Sequence, residues 1–308
     1  MTFSLVIIDS HVHMWPRAIL PDEAVRNYLE PIREARKQFG PELDAFLDFF
    51  LDEESPFGDF DLNISEIINT MDHNKIDKAV VLGIDFGLVN EGRLSNEDYF
   101  DMLFKDCETD DRLLPFISVD PNRGEEGLKM IERMVKKFDP KGIKMYPATG
   151  FYPDDERLDR YWDLVDDLGL IVVTHTGMAL APLDEKFCHP VNMKRVAENH
   201  PDSKYIIAHL GGKFSSELPG VMREHDNIYA DCSAMQGWLP SEPDTVIRTI
   251  SKFAEEFPRR IVYGSDFPLY EIKYPTMLFI RLIMEGEWGN QRIKEDLMGN
   301  NMARILGI

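Results

Sequence analysis

The residues best suited to chemistry stand near the start of the chain: Asp9, His11 and His13. They follow a short apolar run, residues 5–8, which is typical of a buried strand. Because side chains alternate along a strand, the two histidines should point to the same side of it. Two imidazoles spaced in this way can bind one metal ion. Asp9 has the same parity, so it either binds the ion as well or orients a histidine from behind.

Residues of the same kind stand at or near the ends of later apolar runs. They are Lys144, His175, His209 and Asp266. In a barrel of parallel strands the catalytic residues lie at the carboxyl ends of the strands, so we expect these side chains to converge. A single histidine in such a place is usually structural, but several histidines and an aspartate at one rim predict a metal centre. The remaining four of the eight histidines fall in predicted helices or loops, and we interpret them as structural or surface residues.

The expected ligands also indicate the kind of ion. Neutral imidazoles and a carboxylate are ligands of zinc and of other borderline divalent ions. Three protein ligands with an open position for water are typical of a catalytic zinc site rather than a structural one. The sequence therefore predicts one divalent ion, with zinc as the first choice.

Eight short apolar runs alternate with stretches of helical periodicity. The predicted strands are residues 5–8, 78–84, 114–120, 142–146, 170–175, 204–209, 227–232 and 260–266. This alternation is typical of parallel βαβ units, and eight units predict an α/β fold, the (β/α)8 TIM barrel. The competing open sheet of dinucleotide-binding proteins would place a Gly-x-Gly-x-x-Gly motif after the first strand. This chain has His-Val-His-Met-Trp there instead.

The segment after the first strand, residues 14–63, is too long for an ordinary loop. Helical patterns over residues 23–39 and 41–50 predict a helical insertion that covers the site as a lid. Trp15 and the other aromatic residues of this segment would form an apolar wall, or would pack the insertion onto the barrel or onto a second subunit. Nothing in the remaining sequence reads as a linker or a repeat, so we predict a single domain over residues 1–308.

Composition excludes several classes of protein. The formal net charge of −21 would repel phosphate backbones, so we expect no nucleic-acid partner. The three cysteines are widely spaced and odd in number, which argues against a disulfide framework and fits a reducing cytoplasm. We find neither a signal peptide nor an apolar run long enough to span a membrane, and we therefore predict a cytoplasmic protein with no membrane partner.

Several motifs resemble those of the amidohydrolase superfamily. Residues 9–13 (DSHVH) resemble its His-x-His on the first strand, and residues 174–177 (THTG) resemble its histidine on the fifth. Residues 208–212 (AHLGG) and 263–268 (YGSDFP) are similar to motifs of the amidohydrolase-related branch, called amidohydrolase 2. That branch includes aminocarboxymuconate-semialdehyde decarboxylase-like enzymes. The ending at residues 299–307 (GNNMARILG) is similar to its C-terminal helix.

The resemblance implies roles for the residues that match. It implies His11, His13, His175 and Asp266 as metal ligands and His209 as the catalytic acid or base, with Asp266 also acting on the proton of a water. It also implies a small-molecule substrate and allows a homodimer.

Such a site suits two reactions. A metal-dependent hydrolase would cleave an amide, ester or lactone with an activated water, and this is the activity that we expect first. A non-oxidative decarboxylase would use the same residues, with His209 protonating a carbon. That reaction needs a cation for the substrate carboxylate, for which Arg17 and Lys213 are candidates; both are equally well explained as surface charges. A barrel that binds metal without catalysis is the third alternative.

Lys144, within residues 141–147 (KGIKMYP), raises the question of a second metal. In binuclear members of the superfamily a lysine on the fourth strand is carboxylated and bridges two ions. The amidohydrolase-related branch usually has one ion, so we expect Lys144 to stay unmodified and to contact a substrate carboxylate or neighbouring groups. Tyr146, Trp15 and Arg17 are the other expected substrate contacts.

Overall fold

The computed structural model describes residues 5–19, 23, 62–87, 94–179, 182–271 and 274–308. Within them, eight parallel strands follow one another around one sheet in the order of the sequence. The strands are β1 (Ile8–Val12), β2 (Lys78–Leu82), β3 (Leu113–Ser118), β4 (Gly142–Met145), β5 (Ile171–Thr174), β6 (Tyr205–Ile207), β7 (Ile228–Asp231) and β8 (Ile261–Val262).

The sheet closes on itself between β1 and the segment that begins at the end of β8. The amide of Ser10 donates to the carbonyl of Tyr263 at 2.9 Å, and the amide of His13 donates to the carbonyl of Phe267 at 2.8 Å. A third bond runs the other way, from the amide of Asp266 to the carbonyl of His11 at 2.8 Å. The eight strands therefore form a TIM barrel, which confirms the predicted fold class.

Helices connect the strands. They are α1 (Ile64–Asn74), α2 (Asn96–Cys107), α3 (Gly124–Phe138), α4 (Asp159–Asp167), α5 (Lys194–Asn199), α6 (Leu218–Glu224), α7 (Pro243–Glu256), α8 (Thr276–Glu285), α9 (Gln291–Glu295) and α10 (Asn301–Leu306). The first two begin at side-chain caps, since Asn63 accepts from the Ser65 amide at 2.9 Å and Ser95 from the Asp98 amide at 3.0 Å. The predicted helical tail is confirmed as α8 to α10, with one π-helical turn at Asp296–Asn300.

Two hydrophobic clusters hold the barrel together. The larger lies mainly between strands and helices. The smaller joins strand side chains such as Ile8 and Val80 to Met302 and Ile305 of α10. Lys204, just before β6, also donates to the carbonyl of Ile305 at 2.7 Å. The C-terminal helix therefore packs against the amino ends of the strands, opposite the end that carries the chemistry.

Several strand limits differ from the sequence-based ones. β1 extends to Val12, so the His-x-His motif lies in the strand and just beyond it rather than after an apolar run at 5–8. β8 is only two residues long, and the motif with Asp266 lies in the turn that follows it. The first and last residues of a strand are set by its backbone hydrogen bonds to neighbouring strands. The polarity of the side chains does not show where those bonds begin and end.

The predicted lid lies almost wholly outside the described residues, which omit 20–22 and 24–61. Its role and the single-domain assignment stay predictions. Trp15 is buried at its start, and a short 3-10 turn follows at Arg17–Ile19. Across the part of the chain that is described, no helix has the length and apolar character needed to cross a membrane.

Candidate metal and substrate site

The five side chains predicted to form the site meet at the carboxyl ends of the strands. His11 lies inside β1 and His13 just beyond it; His175 follows β5 and His209 lies two residues after β6. Asp266 stands in the turn after β8. Four of them are buried, and His175 is half-buried in the wall of a cavity.

His11 is fully buried, and its two ring nitrogens have different neighbours. Nδ1 donates to Oδ2 of Asp231 at 2.8 Å. Because an ionised carboxylate only accepts, the proton stays on Nδ1 and Nε2 presents a lone pair. That Nε2 lies 3.1 Å from Nζ of Lys144 and 3.5 Å from Oδ1 of Asp266. Burial lowers the pKa of His11 well below its usual value, which keeps the ring in the neutral form that binds metals.

His13 is oriented in the same way by a backbone carbonyl. Its Nδ1 donates to the carbonyl of Leu82 at 2.9 Å, so Nε2 is the nitrogen that faces the site. This Nε2 lies 3.3 Å from Oδ1 of Asp266. The ring of Trp15 stacks on His13, with centroids 4.8 Å apart and planes 20° from parallel. The first-strand motif thus directs two imidazoles at one carboxylate.

The rings of His209 and His175 face each other, and the two ring nitrogens that meet are both hydrogen-bond acceptors. The hydroxyl of Ser233 donates to Asp231, so it accepts from Nδ1 of His209 at 2.7 Å and leaves Nε2 without a proton. Nε2 of His175 donates to the carbonyl of Met178 at 3.1 Å, which leaves Nδ1 of that ring without a proton. The two bare nitrogens are 3.1 Å apart. Such a pair needs a cation or a shared proton between its members.

Burial makes a shared proton costly at this position. It lowers the pKa of His175 to about 3 and that of His209 well below its usual value. Two ligands about 2.05 Å from one tetrahedral ion would stand roughly 3.3 Å apart, close to the observed separation. The separation therefore fits a divalent cation at His175, with His209 either as a second ligand or as a base beside the ion.

A tight turn after β6 presents His209. His209 and Leu210 have φ angles of 60° and 47°, and Gly211 and Gly212 follow at 81° and 55°. A Cβ on Gly212 would lie 2.7 Å from the Cα of Gly177 in the loop after β5. Glycine is therefore required where the loops that carry His175 and His209 approach each other.

Asp266 and Asp9, near the ends of β8 and β1, have different roles in the site. Asp266, at a φ of 56°, points its carboxylate at His11 and His13, and burial raises its pKa. A cation beside Asp266 would offset that cost of burial. Asp9 accepts instead from the amides of His11 at 3.1 Å and Ser265 at 2.9 Å, and burial raises its pKa to about 7. Asp9 thus stabilises the backbone at His11 and Ser265, where the expected ligands are attached.

The donor set as a whole fits a divalent metal. One ligand atom each from His11, His209 and Asp266 lie within 4.8 Å of one another. His13 approaches the same carboxylate, and His175 lies against His209. The group shares His11 and Asp266 with the ligand set implied by the resemblance, and it includes His209, for which we expected a catalytic role.

The basic residues considered for substrate binding occupy different places. Lys144 is buried beneath the cluster, and burial lowers the pKa of its ammonium to about 8. Lys213 lines the cavity and pairs with Glu185. Arg17 is half-buried in the turn after β1 and is not among the described residues that line the cavity.

A cavity of about 630 Å³ lies over the cluster. His175, His209 and Asp266 contribute to its surface. Trp15 and Tyr146, two of the residues for which substrate contact is predicted, line it, and the ring of Tyr146 meets that of His175 edge-on at 4.7 Å. The volume suits a small-molecule ligand rather than a macromolecule.

Sequence reasoning missed Asp231 and Ser233. Asp231 joins His11 and His209, because its second oxygen accepts from the amide of His209 at 2.9 Å. Asp231 is the last residue of β7, and a position at the end of a strand is what singled out the histidines. The same test applied to every carboxylate would therefore have found Asp231. Ser233 carried no comparable signal.

Comparison with known protein families shows which family this chain belongs to. A family model described as Amidohydrolase (Amidohydro_2) matches residues 8–308. The chain belongs to this family. Among curated proteins, none matches the chain.

Solved structures with the same fold are similar over their full length. One is 5-carboxyvanillate decarboxylase from Novosphingobium aromaticivorans complexed with manganese and 4-hydroxy-3-methoxy-5-nitrobenzoic acid, with 16% identity, a TM-score of 0.68 and coverage of 99% of this chain and 97% of that one. A second is a putative 2-pyrone-4,6-dicarboxylic acid hydrolase from Pseudomonas putida, with 14% identity, a TM-score of 0.63 and coverage of 99% and 98%. A third is an amidohydrolase from Burkholderia multivorans with bound zinc, with 13% identity, a TM-score of 0.64 and coverage of 98% and 99%. At these identities the likeness shows the fold alone.

Family membership confirms the resemblance seen in the motifs. It supports an enzyme of the metal-dependent amidohydrolase superfamily with a divalent ion. Similar structures hold manganese in one case and zinc in another, so zinc itself stays a prediction.

Proposed function

We propose that this protein is a metal-dependent hydrolase that cleaves an amide, ester or lactone bond of a small molecule. The observation that carries the proposal is the position of Asp266. Its Oδ1 lies 3.3 Å from His13 Nε2 and 3.5 Å from His11 Nε2, at the floor of a cavity that admits a small substrate.

His11, His13, His175 and Asp266 would hold the ion, for which zinc is our first choice. When bound, a divalent ion supplies a water whose pKa falls from 15.7 to roughly 7, and it polarises the substrate carbonyl. Asp266 accepts the proton of the attacking water, a role that its raised pKa favours. Asp231 fixes the tautomer of His11 from behind.

His209 would complete the reaction by passing a proton to the leaving group. Its Nδ1 is held by Ser233 at 2.7 Å, which leaves Nε2 directed at His175 beside the cavity. As the water oxygen bonds to the carbonyl carbon and the bond to the leaving group breaks, Nε2 takes up the proton that Asp266 accepted from the water and passes it to the leaving nitrogen or oxygen.

Lys144 favours a second candidate, the non-oxidative decarboxylase. Its buried ammonium stands 3.1 Å from His11 Nε2 and could pair with a substrate carboxylate that reaches the floor of the cavity. In that reaction His209 would deliver a proton to the carbon that loses carbon dioxide. A structurally similar protein bears the name 5-carboxyvanillate decarboxylase, which gives this alternative comparable weight.

Isotopes distinguish the two reactions. The protein loaded with zinc, and separately with manganese, would be incubated with a panel of lactones, amides, aryl esters and aromatic carboxylates. Hydrolysis places ¹⁸O from labelled water in the acid product, whereas decarboxylation places deuterium from D₂O on carbon and releases carbon dioxide. We expect ¹⁸O incorporation; turnover with deuterium alone would replace our proposal by the second candidate, and no turnover on the panel would contradict both.

A further inference from the structure

The hydroxyl of Ser233 lies between a carboxylate and an imidazole. Ser233 is fully buried just after β7, and its Oγ lies within hydrogen-bond distance of Oδ1 of Asp231 and 2.7 Å from Nδ1 of His209. Both neighbours are able to accept the one proton of the hydroxyl. A hydrogen bond to a charged acceptor is roughly twice as strong as one between neutral groups, so the proton goes to Asp231. Toward His209, Ser233 is then an acceptor only.

The neutral ring of His209 has two tautomers, and its surroundings offer an acceptor to each. With the proton on Nδ1 the ring donates to Ser233; with the proton on Nε2 it would donate to Nδ1 of His175, which lies 3.1 Å away. That nitrogen of His175 is able to accept, because Nε2 of the same ring donates to the carbonyl of Met178 at 3.1 Å. In the second tautomer the two histidines would therefore bond to each other, and the proton would cover the lone pair of His175.

We propose that Ser233 is a positioning residue that keeps His175 open to the metal ion. Because its own proton is given to Asp231, Ser233 places the ring proton of His209 on Nδ1. It thereby prevents a hydrogen bond between the two histidines that would compete with the ion. The ion then meets a lone pair on His175 and displaces no proton there. The proposal rests on the proposed function only for the assignment of His175 as a ligand.

The tautomer of His209 in the metal-free protein is the first test. Two-bond ¹H–¹⁵N correlations of ring-labelled histidine show which nitrogen carries the proton, at about pH 8, where imidazoles are neutral. The signals of His209 are assigned by their loss in His209→Ala. The unsubstituted chain should have the proton on Nδ1. Ser233→Ala should move it to Nε2, since alanine offers Nδ1 no acceptor while His175 still accepts from Nε2.

Ser118→Ala is the matched control. Ser118 is buried at the end of β3, and its hydroxyl accepts from the amide of Asp85 at 3.1 Å rather than from a histidine. Like Ser233→Ala, this variant removes a buried serine hydroxyl and leaves a buried donor without its acceptor. It should therefore lower the stability of the fold in a comparable way and leave the tautomer of His209 unchanged.

Zinc affinity separates positioning from a general structural effect. Competition with a chromogenic chelator would be measured for the unsubstituted chain, Ser233→Ala, His209→Ala and the double variant. With His209 present, Ser233→Ala should weaken zinc binding about 3–10-fold, the equivalent of one net hydrogen bond that must break before the ion binds. With His209 absent, the same substitution should change the affinity less than about twofold, because no second ring remains to cover His175.

Four results would overturn the role of Ser233. The first, a proton on Nε2 of His209 in the unsubstituted chain, requires no variant to fold. The others are an unchanged tautomer in Ser233→Ala, a shifted tautomer in Ser118→Ala, and an effect of Ser233→Ala on zinc affinity that is the same with and without His209. The proposed function fails separately, since it depends on isotope incorporation during turnover, whereas these experiments measure a proton position and a binding constant.

Discussion

Nδ1 of His11 donates to Oδ2 of Asp231 at 2.8 Å, and both side chains are fully buried. This bond decides which nitrogen of His11 carries the proton and which one presents a lone pair to the site. The other oxygen of Asp231 accepts from the amides of His209 and Ser233, at 2.9 and 3.0 Å, so one carboxylate fixes three parts of the site.

Replacing Asp231 by asparagine should weaken metal binding by about 10–100-fold. The amide group at the position of Oδ2 would donate to Nδ1 of His11 and move the ring proton to Nε2, the atom that must bind the ion. Competition with a chromogenic chelator measures the affinity. D226N is the matched control, because the side chain of Asp226 is fully exposed on the surface; equal losses in both variants would contradict the role of Asp231.

His175→Ala and His209→Ala should separate binding of the metal from catalysis. We expect His175→Ala to lose most of the metal, since it removes an expected ligand. His209→Ala should keep near-stoichiometric metal while kcat falls by about 10²–10⁴-fold, the usual range for loss of a general acid. Elemental analysis together with kinetics gives both quantities. Loss of metal from His209→Ala would instead assign His209 as a ligand, as its place within 4.8 Å of His11 and Asp266 allows.

Lys144→Met should impair the reaction and leave the metal in place. The ammonium lies against His11, so its removal eliminates a contact for a substrate carboxylate or for neighbouring groups without removing a ligand. We expect a higher KM or a lower kcat, with metal content unchanged. A carbamate on Lys144 bridging two ions, seen by mass spectrometry or in electron density, would show that the one-metal expectation is wrong.

Gly212→Ala should lower the free energy of unfolding by about 1–3 kcal/mol. Its φ is 55°, and the new Cβ would lie 2.7 Å from the Cα of Gly177. Gly220→Ala is the control: Gly220 lies in α6 with no atom within 4 Å of an added Cβ, so alanine there should be neutral or stabilising. Chemical denaturation measures both, and similar effects of the two substitutions would contradict the close approach of the loops.

Asp120 should make folding stability depend on pH. Burial raises its pKa to about 6 from 3.8, so between those values the folded state holds a proton that the unfolded state has released. This contribution to stability is complete below about pH 4 and is lost as the pH rises through 6. Compared with Asp120→Asn, the unsubstituted protein should therefore lose about 2–3 kcal/mol between pH 4 and pH 7.5. Denaturant titrations at several pH values check this; parallel pH profiles would contradict it.

The sequence by itself determined the barrel and located most of the residues of the candidate site. Eight apolar runs separated by helical patterns were sufficient for the fold, because each parallel strand needs a crossover before the next. The alternation of side chains placed His11 and His13 on one side of β1. Strand ends then marked His175, His209 and Asp266, since the barrel brings all carboxyl ends to one rim.

Only the tertiary structure decided what those residues touch. The partnership of Asp231 with His11 spans 220 positions of sequence, and the turn that presents His209 depends on contact between Gly212 and Gly177. No local pattern reports such contacts, because hydrogen bonds across a barrel depend on register and loop path. The tautomers follow from these bonds, and they determine which nitrogens face the metal.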